Sequence, residues 1–146
     1  MRVLFLDIDG VLNREGFEPD EDAGLASWIE AELAARLTAL ARETDAVLVM
    51  SSSWREDAEL DELRDDLRRA GVEAHLHDVT PVLFGQPRWA EIQAWCVQHA
   101  PRAFCILDDL PDMGPLSAFH VRTDVLVGLD ELALAAARAL LGRDAR

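Results

Sequence analysis

Val3-Leu4-Phe5-Leu6 is an unbroken apolar run that stops at Asp7-Ile8-Asp9-Gly10. No polar residue alternates within it, so it does not read as a strand with one face in water. It reads as the central strand of a parallel sheet, covered on both faces. Ala46-Val47-Leu48-Val49-Met50 repeats the pattern before Ser51-Ser52-Ser53, and Ala103–Leu107 repeats it before Asp108-Asp109. Val72–Leu76 is a weaker third strand in chain order, and a short segment near Val121 makes a fifth.

Longer stretches of helical spacing separate these runs. Ile29, Leu33, Leu37 and Leu40 recur through about Glu43, with Ser27 as the expected cap. A second helix is predicted from Arg55 to Ala70, with Leu60, Leu63 and Leu67 inward and Gly71 closing it. Trp89–His99 and Leu129–Leu141 supply two more. Residues 10–26 and 78–88, rich in Gly and Pro, read as loops. Strand alternating with helix four or five times predicts an α/β fold. The expected form is a three-layer, doubly wound (Rossmann-like) parallel sheet of about five strands, one domain over 1–146.

Ligands of such folds bind beyond the carboxyl ends of the strands. Asp7 and Asp9, Ser51 to Ser53, and Asp108 with Asp109 all fall at those ends, although they are far apart in sequence. Carboxylates gathered in one crevice repel each other unless a cation joins them. Oxygen ligands without Cys or His favour Mg²⁺, whose shell a substrate phosphate completes. Ser51-Ser52-Ser53 precedes a predicted helix, whose free N–H groups suit a phosphate. Gly10 permits close backbone approach at the turn. Cation, carboxylate nucleophile and phosphate cradle together point to phosphoryl transfer.

Composition narrows the partners. The chain of 146 residues carries 28 acidic and 14 basic side chains, a net charge of −14. Such a chain is repelled by bulk nucleic acid and by anionic membranes. A nucleic-acid end is disfavoured on this ground, although Arg55, Arg88 and Arg122 could form a local positive lip. Every basic residue is Arg, so side-chain Schiff-base chemistry is excluded. Cys96 and Cys105 have no metal spacing and read as buried free thiols. No apolar run approaches the ~20 residues of a membrane span. The start is not a signal peptide, so a cytoplasmic protein is expected.

The motifs resemble those of the haloacid dehalogenase (HAD) superfamily of aspartate-nucleophile phosphohydrolases. Phe5-Leu6-Asp7-Ile8-Asp9-Gly10-Val11-Leu12-Asn13 matches its first motif and Val47-Leu48-Val49-Met50-Ser51 its second. Arg88 is the candidate for the third, with Arg55 as rival. Ile106-Leu107-Asp108-Asp109, with Asp112 behind, matches the fourth. Ser51-Ser52-Ser53-Trp54-Arg55 and Arg88…Glu91-Ile92…Trp95 also resemble a small branch whose domain occurs in RNA-repair proteins.

The resemblance implies a Mg²⁺-dependent phosphatase. Asp7 would attack phosphorus, and Asp9 would act as general acid and then base. Ser51 would bind the phosphoryl oxygens, helped by the backbone N–H of Ser52, and Arg88 would neutralise the phosphoryl charge. Mg²⁺ would sit on the Asp7 carboxylate, the Asp9 main-chain carbonyl and one acid of the Asp108/Asp109 pair. Asp109 is favoured as the direct ligand, with Asp108 facing Arg88. A phosphotransferase or a phosphate-binding module would use the same residues. Neither gap between motifs has room for a cap domain, so the crevice should be open to a phosphorylated small molecule or a macromolecular phosphate. Trp28, Trp54 and Trp89 could stack on a base, although packing is the simpler role for each. His75 and His77 share a strand face and read as solvated.

Overall fold

The computed structural model describes residues 1–142; the last four positions of the expected domain lie outside the described residues. The elements in chain order are β1 (Arg2–Leu6), α1 (Ala31–Thr44), β2 (Ala46–Met50), α2 (Leu60–Arg69), β3 (Leu76–Val79), α3 (Arg88–His99), β4 (Ala103–Asp108), β5 (His120–Arg122) and α4 (Glu131–Leu141). Short 3₁₀ turns occupy Leu25–Trp28, Ser53–Arg55 and Gly114–Phe119. The sheet runs β3-β2-β1-β4-β5 and every pairing is parallel. The chain winds outward from β1 to β3, then returns to β4 on the other side of β1. β1 is therefore central and flanks the point where the winding reverses.

Successive strand residues face opposite sides, and this splits the core into two layers. Leu4, Leu6, Leu48, Met50, Cys105 and Leu107 pack with apolar residues of α1, α2 and α4. Val3, Phe5, Val49, Phe104 and Ile106 pack with Ile92 and Trp95 of α3 and with Leu116. The predicted three-layer α/β architecture is thus present, and no inserted domain covers the carboxyl edge among the described residues. No helix is long and apolar enough to cross a membrane among them.

Three expected elements shift. The third strand is Leu76–Val79, not Val72–Leu76. Val72 is buried, and its N–H bonds Leu67 O across the end of α2, where Gly71 turns at φ 93°. Val72 therefore serves the helix end, and pairing with β2 begins only at Leu76. The helix predicted from Arg55 starts at Leu60. Arg55 ends a 3₁₀ turn, Asp57 sits at φ 62°, and Glu62 accepts the Glu59 N–H at 3.3 Å to open the helix. Ser27 does not cap α1: its hydroxyl donates to Gly24 O at 2.6 Å inside its own turn, and Glu30 occupies the cap position.

Candidate active site

The register of the three central strands builds the site. Phe5 pairs with Val49 on one side and Ile106 on the other. All three side chains lie in the layer under α3. Two residues further along each strand come Asp7, Ser51 and Asp108, which by the same alternation stand level on the same face. The ladder holds this level, because Asp7 N–H donates to Leu107 O and Ser51 N–H to Leu6 O, each at 3.0 Å.

Arg88 approaches this row from α3. Its Nη1 lies 3.3 Å from Asp7 Oδ1 and donates to Asp108 Oδ2 at 3.0 Å. A cation in the first turn opposes the helix dipole, so the two carboxylates, not the helix, hold it there. Asp108 is fully buried, and its other oxygen accepts the Leu110 N–H at 2.9 Å. Burial works to lower the Arg88 pKa, but Asp108 and Asp7 outweigh it and hold the guanidinium above its ordinary value. Burial and then Asp108 push the Asp7 carboxyl up to about 8; Arg88 and the Ile8 N–H oppose this, and Asp109 adds to it.

Asp7, Asp108 and Asp109 offer oxygens within 4.8 Å of one another. Asp108 has both oxygens engaged, whereas no hydrogen bond reaches the Asp109 carboxylate among the described residues. Three crowded carboxylates, one of them driven toward protonation, and no nitrogen or sulfur donor form a set that could hold a hard divalent cation. Gly10 makes the space for Asp109. It turns at φ 83°, and a Cβ there would lie 2.6 Å from Asp109 Oδ2. Its N–H donates to Asn13 Oδ1 at 3.0 Å and its carbonyl accepts the Thr123 hydroxyl at 2.8 Å. Nothing in the sequence singled out Thr123, because it follows a three-residue strand with no motif around it.

The Ser51 hydroxyl is buried and has no hydrogen-bond partner. A buried hydroxyl left unbonded costs ~1–3 kcal/mol, and here it stands level with Asp7 at the open edge of the sheet. The Ser52 hydroxyl accepts the Trp54 N–H at 3.2 Å, which commits it to its own turn.

A protein-family model described as "HAD domain in Swiss Army Knife RNA repair proteins" matches residues 3–134. The chain belongs to this family. No curated protein and no solved structure gives a significant match. Membership brings the HAD α/β fold and, in general terms, a phosphatase-like function.

In this HAD domain Arg55 is not free to meet a substrate, against the expectation from sequence. Its side chain is only 3% exposed. Nε donates to Thr80 O, Nη1 to Ser51 O and Ser52 O, and Nη2 to Pro81 O, all between 2.9 and 3.1 Å. Nη2 also lies 2.9 Å from Glu91 Oε1, and Glu91 accepts the Leu83 N–H with its other oxygen. The five donors of a guanidinium are all spent. Arg55 and Glu91 tie the Ser51–Arg55 loop to α3, one turn beyond Arg88.

Asp9 lies at the exposed edge, bound by two donors. Asn13 Nδ2 reaches Oδ1 at 2.8 Å and Trp54 Nε1 reaches Oδ2 at 3.2 Å. Trp54 is thereby a partner of Asp9, a role no spacing in the sequence signalled. Trp28 donates instead to Asp22, and Trp89 packs against Gly114. Asp112 accepts the Gly114 N–H in a turn. His75 and His77 meet edge to face and enter no metal-ligand group among the described residues. Both cysteines are free, and burial pushes the Cys96 thiol up to about 12.

Proposed function

We propose that this HAD domain is a Mg²⁺-dependent phosphatase that hydrolyses a phosphate monoester through an aspartyl-phosphate on Asp7. The observation that carries this reading is the buried, unbonded Ser51 hydroxyl level with Asp7, with Arg88 between Asp7 and Asp108. Asp7 forms the bond to phosphorus as the leaving oxygen departs. Asp9 delivers a proton to that oxygen, then takes one from the water that opens the acyl phosphate. Asn13 and Trp54 aim its carboxylate. Ser51 Oγ and the Ser52 N–H bind phosphoryl oxygens, and Gly10 leaves room at the turn. Arg88 balances charge on the phosphoryl group and keeps Asp7 turned toward it. Mg²⁺ would be held by the Asp7 carboxylate, the Asp9 carbonyl and Asp109, with Asp108 committed to Arg88, and would supply charge neutralisation for the incoming phosphate.

The open edge suits a small phosphate or a macromolecular one. The family's description names RNA repair proteins, which makes a nucleic-acid end a natural substrate to screen despite the net charge. The test is hydrolysis of p-nitrophenyl phosphate with and without Mg²⁺, with Asp7→Asn alongside. Metal-dependent turnover that disappears in Asp7→Asn is expected. Equal turnover in both proteins overturns the assignment of Asp7.

A further inference from the structure

Arg122 ends β5 at the same edge of the sheet and is the register partner of Asp108. The residue is exposed, and no hydrogen bond or ion pair reaches its side chain among the described residues, unlike those of the other arginines that flank the sheet edge, Arg55 and Arg88. Acids outnumber arginines 28 to 14 in this chain, so an unpaired guanidinium is not explained by a shortage of carboxylates.

Arg122 lines a cavity of about 350 Å³ together with Asp109, Thr123, Asp124 and Val125. Asp109 also belongs to the carboxylate cluster, so the cavity adjoins the phosphate site. The other polar groups of its wall are one hydroxyl and two carboxylates. Thr123 Oγ1 donates to Gly10 O, Asp124 Oδ1 accepts the Leu126 N–H, and Asp109 serves the cluster. That leaves Arg122 as the one cation of this wall, beside the carboxylates of Asp109 and Asp124. The volume lies in the range of ligand pockets, ~300–1,000 Å³, and is far more than phosphoryl oxygens need.

We infer that this cavity receives the leaving-group side of the substrate and that Arg122 pairs there with a second anionic group. The preferred substrates are then phosphate monoesters that carry another phosphate or a carboxylate, either of which matches the fork of a guanidinium. The inference rests on the reading of the adjoining site as a phosphate-monoester site.

The experiment compares alkanediol bisphosphates and ω-phosphoalkanoates, two to six carbons long, with the matching alkyl monophosphates. The wild type should favour the doubly anionic compound in kcat/KM by about tenfold at one chain length or more, and added salt should shrink that preference. Arg122→Ala and Arg122→Gln should cut it to about twofold while leaving the alkyl monophosphate rate unchanged. The bisphosphate and carboxylate arms separate the two sources of the charge. No preference at any length, or a preference that survives both variants, overturns the inference. If the wild type hydrolyses none of them, calorimetric binding of the same pairs decides Arg122 by itself, apart from the phosphatase reading. About tenfold weaker bisphosphate binding in Arg122→Ala supports it, and equal binding refutes it.

Discussion

Replacing Arg55 with Met keeps the length of an apolar stem and deletes all five donors. Four backbone carbonyls and Glu91 lose their partner inside the fold. Breaking a buried pair from one side costs ~3–5 kcal/mol, because the abandoned charge stays buried. Unfolding entropy is ~2.1 cal/mol/K per residue, so a chain of 146 residues has about 0.3 kcal/mol/K at its midpoint. The melting temperature should therefore fall by about 10–16 °C. The Arg42–Glu73 pair, 72% and 69% exposed, is the control. Its loss should cost less than about 1 kcal/mol, since water screens it. Adding Glu91→Leu to Arg55→Met should recover ~1–3 kcal/mol relative to the sum of the single changes. Thermal and urea unfolding measure all four variants. An Arg55→Met midpoint within about 3 °C of the wild type, or strict additivity in the double variant, would refute the buried clamp.

Two further outcomes follow from the carboxylate cluster. The folded, metal-free chain keeps a proton on Asp7 up to about pH 8, whereas an unfolded chain releases it near 3.8. The contribution of Asp7 to stability is thus fully present below about pH 4 and is lost as pH rises toward 8. Cation binding must expel that proton, so Mg²⁺ affinity should rise up to about pH 8 and level off above it. Calorimetry in buffers of different ionisation heat should find about one proton released per ion at pH ~6.5 and almost none at pH ~9, and no release at the lower pH would sink the assignment. Gly10→Ala should weaken Mg²⁺ binding by about tenfold or more, through strain at φ 83° and collision with Asp109. Gly16→Ala, at φ 87° with nothing within 4 Å, carries the strain without the collision. Equal Mg²⁺ affinity in the two variants would show that the collision does not matter.

Much of the site is legible before any coordinates, because it is an edge effect of strand sequence. Each apolar run ends where the sheet ends, so Asp7, Ser51 and Asp108 fall at the carboxyl edge. Their common face follows from side-chain alternation once Phe5, Val49 and Ile106 are known to pair. Arg88 has no such signal, since a single Arg carries no periodicity. β3 differs from the strand expected at Val72–Leu76 because it is an edge strand with only Leu76 buried, while the buried Val72 belongs to the end of α2.

The layered α/β fold, the order of the motifs and the carboxylates that meet beyond the central strands can all be read from the chain alone. These depend on local patterns of apolarity and on residue types at strand ends. Only the tertiary structure shows which arginine lies beside the carboxylates. In the chain Arg88 is the candidate and Arg55 its rival; in the fold Arg55 turns inward onto four carbonyls and Glu91, and Arg88 reaches Asp7 and Asp108. It also decided that Trp54 holds Asp9, that Thr123 supports Gly10, and that Arg122 stands without a partner beside Asp109. Each of these depends on where a side chain ends and not on where its residue begins. A long, flexible side chain takes its partner from whatever the fold brings within a few ångströms.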